Sequence, residues 1–290
     1  YQPQGLSMDI RAILGGLAFA FMWSSAFSSA RIIVADASPL MALSARYLIS
    51  GLLGVGIALA LGQSWRLTPA QWRATIIFGI LQNAVYLGLN FIAMQTTQAS
   101  LAAIIASTMP LLVGLATWLI LGEKLRPLGL GGLVAGVIGV IVIMSARISG
   151  GVDLTGLLLC GIGVVALSAA TLLVRGATSG GNFLMVVGLQ MLVGCVALTI
   201  AMVVFETPYI NPSWQLAAAF AYTSLVPGLL ATVVWFWLVN RIGATRAATF
   251  HFLNPFFGVA IAWILLGEPL GIQDAIGVAI IAIGILAVQI

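Results

Sequence analysis

The sequence predicts an all-α integral membrane protein whose ten transmembrane helices form two inverted five-helix repeats around a central cavity. Three observations predict it. The first is composition: 62% of the 290 residues are hydrophobic and 6% are charged, with a mean hydropathy of +1.18. A soluble domain carries about 25% charged residues, so eleven Lys+Arg and seven Asp+Glu cannot coat a water-facing globule. Lipid must be the main solvent, which excludes soluble enzymes, nucleic-acid-binding domains and secreted disulfide scaffolds. The second is run length. The apolar runs are long and continuous, as helices of about 20 residues require, and they lack the alternation of a membrane β-barrel. The third is a repeat at an offset of 145 residues.

Breaks in the apolar pattern place the spans in order at 9–33, 39–61, 71–94, 98–121, 127–146, 153–175, 181–204, 213–239, 243–266 and 270–289. The first follows directly on Met8-Asp9-Ile10-Arg11 and is full length, so it does not read as a cleavable signal. Residues 1–7 read as a tag remnant or a disordered N-terminus. One break is weak, because no charge occurs from Ala74 to Gly122. An unbroken helix there would be about 73 Å long, more than twice the membrane. The polar cluster Gln95–Ser100 must therefore turn. Trp65, Trp72 and Trp214 fall at span ends, as interfacial anchors do. Cys160 and Cys195 lie inside apolar runs and read as small hydrophobes.

Leu121-Gly122-Glu123-Lys124-Leu125 matches Leu266-Gly267-Glu268-Pro269-Leu270 at the offset of 145, as Pro110 matches Pro255 and Gly132 and Gly139 match Gly277 and Gly284. With an offset of 144, Arg31 pairs with Arg175 and Ser24 with Ser168. Two units result, 8–147 and 148–290. Five spans are an odd number, so the second unit enters the membrane inverted. The charges agree: Arg11, Arg66, Arg73, Lys124, Arg126, Arg175, Arg241 and Arg246 fall on the side of the N-terminus, against Arg31 and Arg147 opposite. That bias puts both termini in the cytoplasm of a bacterial-type inner membrane. The net charge of +4 is scattered rather than patched, so it sets topology and implies no nucleic acid.

Inverted repeats with a site between them are a transporter architecture; aquaporin-type channels share the inversion. The carboxylates Asp9, Asp36, Glu123, Asp153, Glu206, Glu268 and Asp274 all fall at span ends, so none is placed for an intramembrane proton relay, and no metal site, cofactor or catalytic pair is expected. Uncharged polar groups do occur at depth. Asn83, Tyr86 and Asn90 form one stripe with Gln82 beside it, either lining a cavity or bonding between helices. His251 and Asn254 stand three apart near the middle of span nine, with Ser24 in span one. Trp23 and Trp235 offer flat faces with one donor each, suited to aromatic or cationic solutes; Trp235 and Trp237 point away from each other on a helix, which leaves one of them able to face lipid. Arg46 reads first as a snorkelling cation or a helix-end partner and second as a partner for a substrate carboxylate. Pro110, Pro255 and Pro227 interrupt spans four, nine and eight as hinges. Spans five and ten, with Gly132-x3-Gly136, Gly277 and Gly284, read as static packing or dimer contacts; a monomer is expected and a homodimer is the alternative.

The duplicated pattern of a mid-span proline followed by Leu-Gly-Glu-x-Leu, read at Pro110…Glu123 and Pro255…Glu268, resembles the EamA-type repeat of the drug/metabolite transporter superfamily. Trp23-Ser24-Ser25-Ala26-Phe27 and Pro39…Arg46-Tyr47 resemble that family's first two helices. The resemblance is closest to the YddG-type exporters of aromatic amino acids. It implies an exporter of amino acids and related amphipathic metabolites, and of aromatic toxicants, with Pro110, Glu123, Pro255 and Glu268 as structural elements. Alternatives are a nucleotide-sugar carrier, which needs several buried cations, a channel, and an intramembrane enzyme, which lacks an activated nucleophile.

Overall fold

In hydrocarbon every backbone amide must find its partner within the chain, which leaves helices as the means of crossing. The computed structural model describes residues 10–149, 151, 153–173, 181–242 and 244–289. Among them ten helices are long and apolar enough to span a membrane: α1 (Ile10–Asp36), α2 (Pro39–Ala60), α3 (Pro69–Ala93), α4 (Ala99–Leu119), α5 (Pro127–Arg147), α6 (Leu154–Leu173), α7 (Phe183–Phe205), α8 (Trp214–Val239), α9 (Arg246–Leu266) and α10 (Ile272–Gln289). Each agrees with its sequence expectation to within about three residues, the usual uncertainty of such boundaries. The expectations for residues 1–7, Asp9, Arg175 and Gly243 lie outside the described residues. Large apolar side chains such as Ile120, Phe205 and Ile283 are 79%, 82% and 65% exposed, which suits a lipid-facing surface. Trp65 and Trp214 project at the helix ends, 61% and 76% exposed.

Local chemistry sets the helix ends. Thr68 and Gln71 form a reciprocal capping box at the start of α3, and the Ser213 hydroxyl accepts from the Leu216 amide at the start of α8. Gly122 and Gly267 carry φ of 69° and 65°, the left-handed region that favours glycine at a helix end. The turn that follows is the same in both repeats. The Glu123 amide donates to Thr117 O at 3.2 Å, and the Glu268 amide to Ala262 O at 3.3 Å.

Symmetry extends to the irregular turns. Residues Gly79–Tyr86 of α3 and Ser224–Leu230 of α8 are wound as wide i→i+5 turns, and the offset of 145 superimposes them. Such widening often marks a functional site. Pro227, which lacks a proline counterpart in sequence, thus has a structural counterpart in α3. Pro110 and Pro255 are less internal than a mid-span kink implies. Each is the second residue of a new helical segment, Met109–Leu119 or Asn254–Leu266, where its missing amide hydrogen is not needed.

Helix packing pairs the repeats. α1 packs on α8 and α9, α6 packs on α3 and α4, α2 lies against α7, and α5 against α10. At the α5–α10 crossing a Cβ on Gly132 would lie 2.6 Å from Gly284 O, and one on Gly139 would lie 2.9 Å from Gly277 O. Of the two readings of these glycines, static packing is the one observed: their close approach is used within the chain.

The end of the bundle opposite Ile10, the far side, is tied across its helices. Asp36 accepts from Ser213 Oγ at 2.7 Å, and its carbonyl from the Asn211 amide at 2.7 Å. The Glu206 carboxylate accepts from the Leu40 and Met41 amides at 2.8 and 3.0 Å. Arg147 Nε meets Asp274 at 3.1 Å and also reaches Gln98. Arg31 donates to the carbonyls of Met94 and Thr97, at the turn that the Gln95–Ser100 cluster implied. The Thr96 hydroxyl, 2.5 Å from Asp153, holds that carboxyl below its usual range.

Candidate functional site

Both widened turns line the first two of three chambers arranged in series. The innermost, of about 80 Å³, lies among Trp23, Arg46, Tyr47, Gln82, Asn83, Tyr86, Gln190 and Gly228. A middle chamber of about 290 Å³ shares Trp23, Gln82, Gln190, Pro227 and Thr232 with it, and adds Phe19, Phe78, Trp235 and His251. The third, of about 340 Å³, shares Met109, Thr171, Trp235 and His251 with the middle one and reaches Leu125, Ala248 and Gln289 at the N-terminal side. The walls are apolar and aromatic with a few polar groups, the usual make-up of a small-molecule site.

The aromatic cluster is built from three helices. Phe19 and Trp23 stand one turn apart on α1 with ring centroids 6.0 Å apart, and Trp235 of α8 approaches Phe19 at 4.7 Å. His251 of α9 meets Phe19 and Trp23 edge-on at 5.5 and 6.3 Å, and Trp235 at 5.3 Å. The His251 Nδ1 shares a hydrogen bond of 2.9 Å with Asn254 Nδ2, which fixes the ring and directs its other nitrogen elsewhere. Trp237 points outward, 40% exposed, beneath the Arg241 guanidinium at 5.4 Å.

Of the residues singled out in the sequence, Tyr86, Asn83, Gln82, Trp23, Trp235, His251, Arg46 and Pro227 meet around the chambers. Asn83 does so while its Nδ2 donates to Gln190 O at 3.0 Å. Ser24, Asn254 and Asn90 are buried outside the lining. Ser24 Oγ donates to Asn254 O at 3.1 Å and so ties α1 to α9, while Asn90 Nδ2 returns to Tyr86 O at 2.8 Å against Gly163 of α6. Pro110 borders the third chamber. The snorkelling expected of Arg46 is corrected: the side chain is 6% exposed and turns into the innermost chamber. Instead of reaching the surface, its guanidinium carbon stands 5.2 Å from the centre of the Tyr47 ring.

Sequence reasoning missed Gln190, Thr232 and Phe19. Gln190 had a signal, since the offset of 144 that pairs Ser24 with Ser168 also pairs Arg46 with Gln190. Phe19 had none, being one aromatic among many in an apolar run.

The two Leu-Gly-Glu carboxylates have different surroundings. Glu268 is 9% exposed and accepts from the Ala99 and Ser100 amides at 2.7 and 2.9 Å, closing the start of α4 against the end of α9 on the far side. Its repeat counterpart Glu123 stands exposed on the N-terminal side.

The EamA-like transporter family model matches the chain twice, over residues 10–145 and 154–289. The chain is 29% identical over 275 residues to the uncharacterized transporter YvbV of Bacillus subtilis (strain 168), covering 94% of this chain and 90% of that protein. It is 28% identical over 282 residues to the uncharacterized inner membrane transporter YedA of Escherichia coli (strain K12), covering 93% and 89%. A crystal structure of a protein 21% identical in sequence superposes with a TM-score of 0.69 over 97% of this chain and 96% of that one, which shows a shared fold.

Proposed function

Because the chain belongs to the EamA-like transporter family, we propose that it exports small amphipathic metabolites, aromatic and other neutral amino acids first among them, by alternating access through the three chambers. It is a multi-pass membrane protein with ten apolar helices among the described residues. The excess of Lys and Arg beside the N-terminus supports a cytoplasmic location for both termini, in a bacterial inner membrane. The third chamber then opens to the cytoplasm, and the far side faces outward.

The observation that carries this reading is the pairing of a sealed end with an open one. Among the described residues, the Glu268 and Asp36 hydrogen bonds and the Arg147–Asp274 ion pair tie helices together on the far side, while on the other side, where Gln63 and Asn182 join α2 to α7, the chambers extend to Ala248 and Gln289. Two inverted copies of one unit supply a second conformation by exchanging their roles. In that exchange Glu123 takes the part that Glu268 plays here. No Asp or Glu lines the chambers among the described residues, which supports facilitated transport down the substrate gradient rather than obligatory proton antiport.

Counterflow of labelled aromatic amino acids in proteoliposomes tests the reading. Trp235→Ala should raise the half-saturating concentration about tenfold, the loss of one aromatic contact of about 1.4 kcal/mol. Gly161→Ala, where an added Cβ meets nothing within 4 Å, should match wild type. Uptake that fails to saturate, or that vanishes when an imposed proton gradient is removed, would contradict the mechanism.

A further inference from the structure

Arg46 is a buried cation with no acidic partner among the described residues. It lies 6% exposed on α2, and among the described residues its Nε has no hydrogen-bond partner and it belongs to no ion pair. Of the side chains around the innermost chamber it alone is charged among the described residues. A guanidinium held away from water without a counter-ion is costly, and such a charge at membrane depth is functional by default. The chamber that receives it holds only a small head group, and it opens past Trp23 and Gln82 into a wider apolar room.

We propose that Arg46 anchors the carboxylate of the transported molecule in the innermost chamber, with the apolar tail lying between Trp23 and Trp235 in the middle one. The assignment rests on the transport reading above and narrows it. No acidic side chain lines the chambers among the described residues to hold an ammonium group. The substrate class is therefore small organic anions with a flat or aliphatic tail, and the amino group of an amino acid is tolerated rather than required.

Purified full-length protein is tested for binding to L-phenylalanine, 3-phenylpropanoate and L-phenylalaninamide by thermal shift and competition. Chloride serves as a plain counter-ion control. Wild type should prefer both carboxylates over the amide by about tenfold or more, the size of one charge-assisted hydrogen bond. In Arg46→Gln and Arg46→Met that preference should fall to within about twofold, and Arg46→Lys should keep part of it, since a lysine lacks the planar fork. Without ligand, Arg46→Met should melt no lower than wild type, because an uncompensated charge has been removed.

A preference that survives in Arg46→Gln, no preference in wild type, or equal stabilisation by chloride and 3-phenylpropanoate would each overturn the assignment. A lower unliganded melting temperature for Arg46→Met would do the same. Failure of the two readings is distinguishable. If 3-phenylpropanoate binds through Arg46 while no amino acid is transported, the anion site stands and the amino-acid reading falls. If phenylalanine is transported and the carboxylate preference ignores Arg46, the reverse holds.

Discussion

Replacing Glu268 by Gln should open the far side of the chambers, raising the rate at which a cysteine at Ala30 reacts with an impermeant maleimide added there by about a hundredfold. The size follows from what the carboxylate holds. It accepts two amide hydrogens at 2.7 and 2.9 Å where α4 begins. Bonds to a charged acceptor contribute about 1.5–3 kcal/mol each, and a negative charge at a helix start adds about 0.3–1 kcal/mol. A glutamine keeps one acceptor oxygen and places an amide donor against the second N–H, so a loss near 3 kcal/mol follows. Ala30 is suited to report it, being 1% exposed in the wall of the innermost chamber. Glu123→Gln should leave the rate unchanged or lower it. Equal rates in wild type and Glu268→Gln would sink the idea that this contact closes the far side.

The second large effect concerns the α5–α10 crossing. Gly284→Leu and Gly139→Val should abolish or strongly reduce the monodisperse folded fraction in fluorescence-detected size exclusion. Survivors should melt about 5 °C or more below wild type, as a loss near 3 kcal/mol implies. A Cβ on Gly284 would meet Gly132 O at 2.6 Å and Gly136 N at 2.9 Å. These are backbone atoms of a facing helix and cannot turn aside as a side chain does. Gly131→Leu, with nothing within 4 Å of the added Cβ, is the control and should behave as wild type. Tolerance of leucine at Gly284 would mean that the two helices do not cross there.

The ten spans and their grouping into two repeats were legible because composition, helix length and a duplicated motif all constrain the same thing. The polar turn at Gln95–Ser100 was found from length alone, since no charge marks it. What was not legible is tertiary. Asn90 and Asn254 are the same residue type as Asn83, but Asn90 bonds back to Tyr86 and Asn254 to His251 on their own helices, and the Ser24 hydroxyl is taken up by the Asn254 carbonyl of α9. Arg46 lies seven residues inside the start of α2, close enough to reach the surface by length, and only the packing of Tyr47 shows which way it turns. Glu123 and Glu268 share motif, helix end and glycine φ. Their different burial belongs to the conformation of the whole bundle, and no local pattern encodes it.

Spin labels at Thr96 and Leu270 report the far side, and labels at Leu121 and Arg246 report the N-terminal side, all four positions being exposed. Their distance distributions, taken by double electron–electron resonance with and without saturating substrate, test alternating access between inverted repeats most directly. The account predicts opposite changes: the Thr96–Leu270 distance lengthens as the Leu121–Arg246 distance shortens. Two distances that move together, or that both stay fixed while flux continues, would contradict it.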